Sequence, residues 1–130
     1  MLYTIYQNKA TRKHSDLINT LGWDGSANEE PSIATHLEMS FIDEEASNWK
    51  PEFINHYEPV ASVHLSDVGG WDDWIIRVIH AGNKMPAPNT EYSNFNEARS
   101  LSTGDIVRDQ DGQFFISNGY TLVAINVEQL

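Results

Sequence analysis

Trp71, Trp74, Ile75, Val78 and Ile79 recur at i, i+3, i+4, i+7 and i+8, an unbroken apolar stripe that a helix gathers on one side. Gly69-Gly70 opens this helix, Asp72 and Asp73 suit the positive end of its dipole, and Gly82 supplies a stop just past His80. A helix with one apolar stripe must lay it against another element, and the flanking sequence offers strands. Residues 60–65 put Val63 and Leu65 on one side and Ser62 and His64 on the other. Residues 104–107 and 113–117 flank Asp109-Gln110-Asp111-Gly112, a hairpin signal, and 121–127 follow a second turn at Asn118-Gly119.

The first half of the chain is less regular. Tyr3, Thr4, Ile5 and Tyr6 predict a short strand over 2–6. Ser15 as cap, Leu17, Ile18 and Leu21 on one face, and Gly22 as stop predict a helix over 15–21. Residues 23–31 read as a loop, and 35–42 as a half-buried strand with Leu37, Met39 and Phe41 at period two. In 43–59 no period is sustained, although Trp49, Phe53, Ile54 and Tyr57 would suit an amphipathic turn or two; 85–96, with two prolines, reads as a surface connection. The expectation is an α+β fold: a single compact domain over 1–130 with a small, mainly antiparallel sheet and two or three helices, its C-terminal third a meander. At 130 residues the chain is long enough to bury roughly two-thirds of its unfolded surface.

Charge is distributed unevenly over this pattern. From His14 to Ile76 there are thirteen acids (Asp16, Asp24, Glu29, Glu30, Glu38, Asp43, Glu44, Glu45, Glu52, Glu58, Asp67, Asp72, Asp73) and one base, Lys50, which accounts for the whole net charge of −11. Asp16, Asp72 and Asp73 stand at expected helix starts, where they are locally favourable. The cluster from Glu29 to Glu58 has no such reason in the sequence. With 40% hydrophobic residues and four Trp the chain is too apolar for a disordered acidic tail, so its charge is carried on a folded body. Lys9, Arg12 and Lys13 form the only local basic cluster, which argues against direct nucleic-acid binding.

Several chemistries are excluded outright. Zero cysteines remove disulfides, thiolate metal sites and cysteine nucleophiles. No apolar run reaches the length of a membrane span, and the N-terminus lacks the order of a secretory signal, so a cytoplasmic protein is expected. The five histidines sit on separate elements without H-x-x-x-H spacing, so no metal or cofactor is expected. Asp109, Asp111 and Gly112 have the middle of a calcium loop, but Val107 and Asn118 occupy its first and last ligand positions; a hairpin turn accounts for them better. No nucleophile elbow, phosphate loop or dinucleotide fingerprint occurs, and no catalytic residue is expected.

Arg99-Ser100-Leu101-Ser102-Thr103-Gly104-Asp105-Ile106-Val107, with the preceding strand and helix of 60–83 and the following 113–125, resembles the YodL-like small proteins of phages and plasmids. Asn118-Gly119-Tyr120 stands where that family usually has an aromatic residue after a Phe-Gly-like turn. The resemblance implies a mobile-element origin and supplies no catalytic residues. Turn chemistry accounts for the motif independently: Gly104 relieves the backbone and the Asp105 side chain can satisfy nearby amides.

The resulting expectation is a non-enzymatic binding protein whose carboxylates imitate a phosphate backbone and occupy the basic groove of a nucleic-acid-handling partner, such as a restriction enzyme or an RNA-guided defence complex of the host. The partner-binding residues are expected to be Glu29, Glu30, Asp43, Glu44, Glu45, Glu52 and Glu58, with Trp49 as an aromatic anchor in acidic surroundings. The alternative is an assembly protein forming a homo-oligomer, its acids serving solubility.

Overall fold

The computed structural model describes residues 1–9, 15–66, 74–85, 87 and 89–128. Six strands, β1 (Leu2–Asn8), β2 (Tyr57–Leu65), β3 (Thr90–Asn94), β4 (Ile106–Arg108), β5 (Phe114–Ser117) and β6 (Leu122–Ile125), form one sheet in the order β3-β2-β1-β4-β5-β6. Every neighbouring pair is antiparallel. The described helices are α1 (Ser15–Ala27), α2 (Pro31–Met39), a 3-10 helix (Pro51–His56) and α3 (Trp74–Gly82). The fold is α+β, and β4-β5-β6 form the expected C-terminal meander.

Successive side chains on the strands go to opposite faces, and both faces are covered. On one, Val78 and Ala81 of α3, with Trp74, Ile75 and Ile79, pack on Tyr3, Ile5, Ala61, Val63, Leu65, Val107 and Phe115. Tyr3 stacks on Trp74 at 4.7 Å. On the other, Met39 of α2, Ile42 and Ala46 of the following turns and Ile54 of the 3-10 helix pack on Tyr6, Ile106, Phe114, Ile116 and Ile125. The adjacent pairs Ile5/Tyr6 and Ile106/Val107 thus divide between two cores. Between Ile5 and Tyr6 the β1–β2 register shifts by one residue at Val60, whose carbonyl takes the amides of Phe95 and Asn96 at 3.1 Å each.

The expected strand at 35–42 is instead helix α2. Glu30 caps it, accepting from the Ser32 amide (3.2 Å) and hydroxyl (3.0 Å), and Pro31 fills the first turn, where no N–H is needed. Its buried positions are Ser32, Ile33, Thr35 and Met39, with His36 half-buried, a helical spacing in which polar residues alternate with apolar ones. The expected loop at 23–31 is helical as far as Ala27, and Gly22 (φ 72°, ψ 175°) breaks α1 in its middle instead of ending it. The expected connection at 85–96 contains β3. The Ser15 side chain and residues 69–73, which were to cap α1 and open the long helix, lie outside the described residues.

Candidate functional site

The 15–56 segment forms a layer of helices and turns, and in it Asp16, Asp24, Glu29, Glu38, Asp43, Glu44, Glu45 and Glu52 are all exposed. Lys50 is the one lysine or arginine of that layer, and its ammonium lies 5.8 Å from the centre of the Phe53 ring. His36 and His56 add little positive charge near neutrality. Burial lowers the His36 pKa, assisted by the Arg99 charge, and burial likewise lowers that of His56, with Lys9 adding and Glu30 opposing.

The acids in this layer are not equivalent. Glu30 is half-buried and engaged as the α2 cap. Asp43 organises the turn that bears it: one carboxylate oxygen accepts from the Glu45 (3.0 Å) and Ser47 (2.9 Å) amides, the other from the Ser47 hydroxyl. These hydrogen bonds, the Ser47 hydroxyl first, hold the Asp43 carboxyl below its ordinary pKa. Glu29, Glu44, Glu45 and Glu52 are exposed. Glu58 is set apart from them: it follows Tyr57 on β2, so its half-buried side chain goes to the opposite, α3-bearing face. Trp49 is half-buried and packs against the core, edge-on to Phe53 (5.7 Å) and Tyr57 (6.0 Å), with its indole N–H donated to the Asn126 carbonyl at 2.7 Å. The structure therefore brings Glu44 and Glu45 together beside Asp43, keeps Glu29 and Glu52 in the same layer, and leaves Trp49 half-exposed at the edge of the core.

Two aromatic residues accompany the Asp43 turn: Phe41, which the period-two pattern of 35–42 had set with Leu37 and Met39 on one face of a half-buried strand, and Tyr120, which the sequence did not single out. Phe41 is 84% exposed and Tyr120 89% exposed. Phe41 stays outside because the turn after α2 sends its neighbours Met39 and Ile42 inward. Tyr120 sits at the tip of the β5–β6 hairpin, where the Asn118 side-chain oxygen accepts the Tyr120 and Thr121 amides at 2.9 Å each. The Asn118 amide also donates to the Glu44 carbonyl (3.4 Å), tying this hairpin tip to the acidic turn. The signal that could have found Tyr120 was Asn118-Gly119 itself, because the residue after a tight turn between two short strands has nowhere to bury.

The Arg99–Val107 motif has a structural role of its own. Gln7, fully buried at the end of β1, accepts from the Arg99 amide (2.9 Å) and donates to the Arg99 carbonyl (2.8 Å) and the Asp105 carboxylate (3.2 Å). That carboxylate also takes the Ser102 amide at 2.8 Å, and the buried Tyr57 hydroxyl donates to the Gly104 carbonyl at 2.6 Å. Burial pushes the Asp105 carboxyl up to about 7 against the lowering effect of these bonds, and pushes the Tyr57 phenol up as well. Gly104 has φ 91°, and a Cβ there would meet the Met39 carbonyl oxygen at 2.9 Å. These residues lock a loop onto the sheet. Asp109 does the same for the β4–β5 turn, its carboxylate accepting the Asp111 and Gln113 amides at 2.9 Å each.

Among the described residues no group of three or more His, Cys, Asp or Glu side chains is placed to hold a metal ion, and no helix is long and apolar enough to cross a membrane. No protein-family model, curated protein or solved structure matches this chain.

Proposed function

We propose that this chain is a small acidic protein of phage or mobile-element origin that inhibits a host nucleic-acid-handling protein, a restriction enzyme or RNA-guided defence nuclease, by occupying its basic groove in the cytoplasm of the host. The observation that carries this reading is the composition of one layer: eight exposed carboxylates against the single base Lys50, over residues 15–56. Such a surface repels phosphate and attracts Arg and Lys arrays that normally hold phosphate. Phe41 and Tyr120 beside Glu44 supply the apolar contact that an electrostatic encounter needs to become a lasting one.

Because the Asp43 carboxylate is committed to its own turn, Glu44 and Glu45 are the carboxylates to reverse. The test is displacement of fluorescent duplex DNA from a panel of purified defence nucleases at low and high salt. The protein should displace DNA at low salt and lose potency steeply as salt rises. Glu44→Lys with Glu45→Lys should weaken displacement roughly tenfold or more, with the circular dichroism spectrum unchanged. Failure to displace DNA from every enzyme of the panel, or equal potency of the double variant, would sink the proposal.

A further inference from the structure

The two edges of the sheet are finished differently. Past β6 the chain is fastened down: the Trp49 indole donates to the Asn126 carbonyl (2.7 Å) and the Glu128 amide to the Pro51 carbonyl (3.0 Å). β3, the terminal strand on the other side, holds neither Pro nor Lys. Its pairing with β2 runs without a shift from Ala61↔Asn94 to Leu65↔Thr90. Of the usual means of protecting an edge from a further strand, β3 has no proline, lysine or bulge; it is short, five residues, and its one charge is Glu91.

Its sequence, Thr90-Glu91-Tyr92-Ser93-Asn94, is self-complementary about the centre. Paired antiparallel with a second copy of itself, Tyr92 stands opposite Tyr92, Thr90 opposite Asn94, and Glu91 opposite Ser93. The one charged residue therefore meets a hydroxyl donor instead of its own like charge, at two symmetric places. Glu91 and Ser93 are both exposed, and both lie on the side of the sheet away from α3. On the α3 side, Tyr92 borders a groove of about 360 Å³ lined by Ala81, Lys84, Met85, Ala87 and Thr90. The Tyr92 hydroxyl is buried there and has no hydrogen-bond partner among the described residues. A twofold axis at Tyr92 sets the two grooves side by side. The acidic helical layer packs chiefly over β1, β4, β5 and β6, so contact through β3 joins two molecules of net charge −11 at the edge away from their densest negative surface.

We propose that two copies of this chain associate through β3, antiparallel and centred on Tyr92, continuing the sheet across a twofold axis. This association stands independently of which protein the acidic layer binds. Sedimentation velocity over a wide concentration range, on the wild type and two variants of exposed Ser93, tests it. Ser93→Glu sets like charges opposite Glu91 twice in the pair and should weaken the dimer, whereas Ser93→Lys sets opposite charges there and should tighten it, each by roughly 2- to 30-fold. The cysteine-free chain allows a second readout that keeps the register falsifiable. Equal amounts of Glu91→Cys and Ser93→Cys chains, mixed and oxidised, should form a disulfide-linked dimer faster than either alone, because positions 91 and 93 face each other across the axis. A monomer at every concentration in both wild type and Ser93→Lys overturns the proposal. So does a dimer indifferent to charge at position 93, or cross-linking no faster in the mixture.

Discussion

Asp105 is the side chain whose chemistry departs furthest from its ordinary behaviour in water. It lies 6% exposed under the loop that begins at Arg99, accepts the Ser102 amide and the Gln7 side chain, and is pushed up to about 7 by burial. Its unfolded value is near 3.8. Since the folded value is the higher one, the native state holds an extra proton between about pH 4 and pH 7, and stability falls as pH rises through that window. His36 and His56, both lowered, act in the opposite sense, the fold gaining stability as pH rises toward their unfolded value. Total stability therefore hides the carboxyl behind the imidazoles. Asp105→Asn separates them: the amide can accept the same two bonds but does not ionise. The stability of Asp105→Asn relative to wild type should rise from pH 4 to pH 7 by up to about 4 kcal/mol and level off above it, measured by urea unfolding at each pH. A constant difference across the range would show that Asp105 ionises freely. Turn chemistry in the sequence foretold the Asp105 hydrogen bond to a nearby amide. It did not foretell the burial, because that depends on Gln7, ninety-eight positions away.

At the scale of elements, what was legible is what alternates over enough residues or turns on a glycine. β2 and the meander carry long apolar alternation or Asp-Gly and Asn-Gly punctuation, and all stand close to their expected positions. The strand expected over 35–42 rests on Leu37, Met39 and Phe41 alternating over three residues only, while the positions that helix α2 buries are Ser32, Ile33, Thr35 and Met39, half of them polar and so faint in a hydrophobicity count. β3 was missed for a related reason: a five-residue polar strand has no apolar period, and its place comes from pairing with β2. Helix α1 is the element least supported by packing. Ser26 is its single buried residue among the described side chains, Leu21 and Trp23 remain 44% and 40% exposed, and Gly22 interrupts it. What holds it is mainly α2, through the stacking of Trp23 on His36 at 5.3 Å. Its amides should accordingly exchange with solvent by local opening, roughly 100-fold faster or more than those of β1 and β2, in hydrogen-exchange mass spectrometry. Equal protection of α1 and the central strands would mean that it opens only with the whole fold.

For the whole molecule, the relevant quantity is the segregation of charge. Residues 15–56 hold nine of the nineteen acids and only one of the eight bases, so the remaining seven bases offset most of the other ten acids. The sequence disclosed this imbalance at once but not its geometry, since Glu58 proved to lie across the sheet and Glu30 and Asp43 to be committed to a cap and a turn. Crowding the rest in one layer has a cost that screening relieves: the Debye length falls from about 30 Å at 0.01 M salt to about 8 Å at 0.15 M. Raising salt over that range should raise the melting temperature by a few degrees. Neutralising Glu44 and Glu45 to Gln should reduce the gain while changing stability by no more than about 0.5 kcal/mol at high salt. A melting temperature that falls with salt would mean that these carboxylates are compensated within the fold. The sign bears on the proposed function, because capture of a basic groove would weaken with salt while the fold strengthens. If the proposed inhibition is lost at high salt while the melting temperature rises, that loss cannot come from unfolding, and the salt dependence then belongs to the proposed contact of the acidic layer with a basic groove.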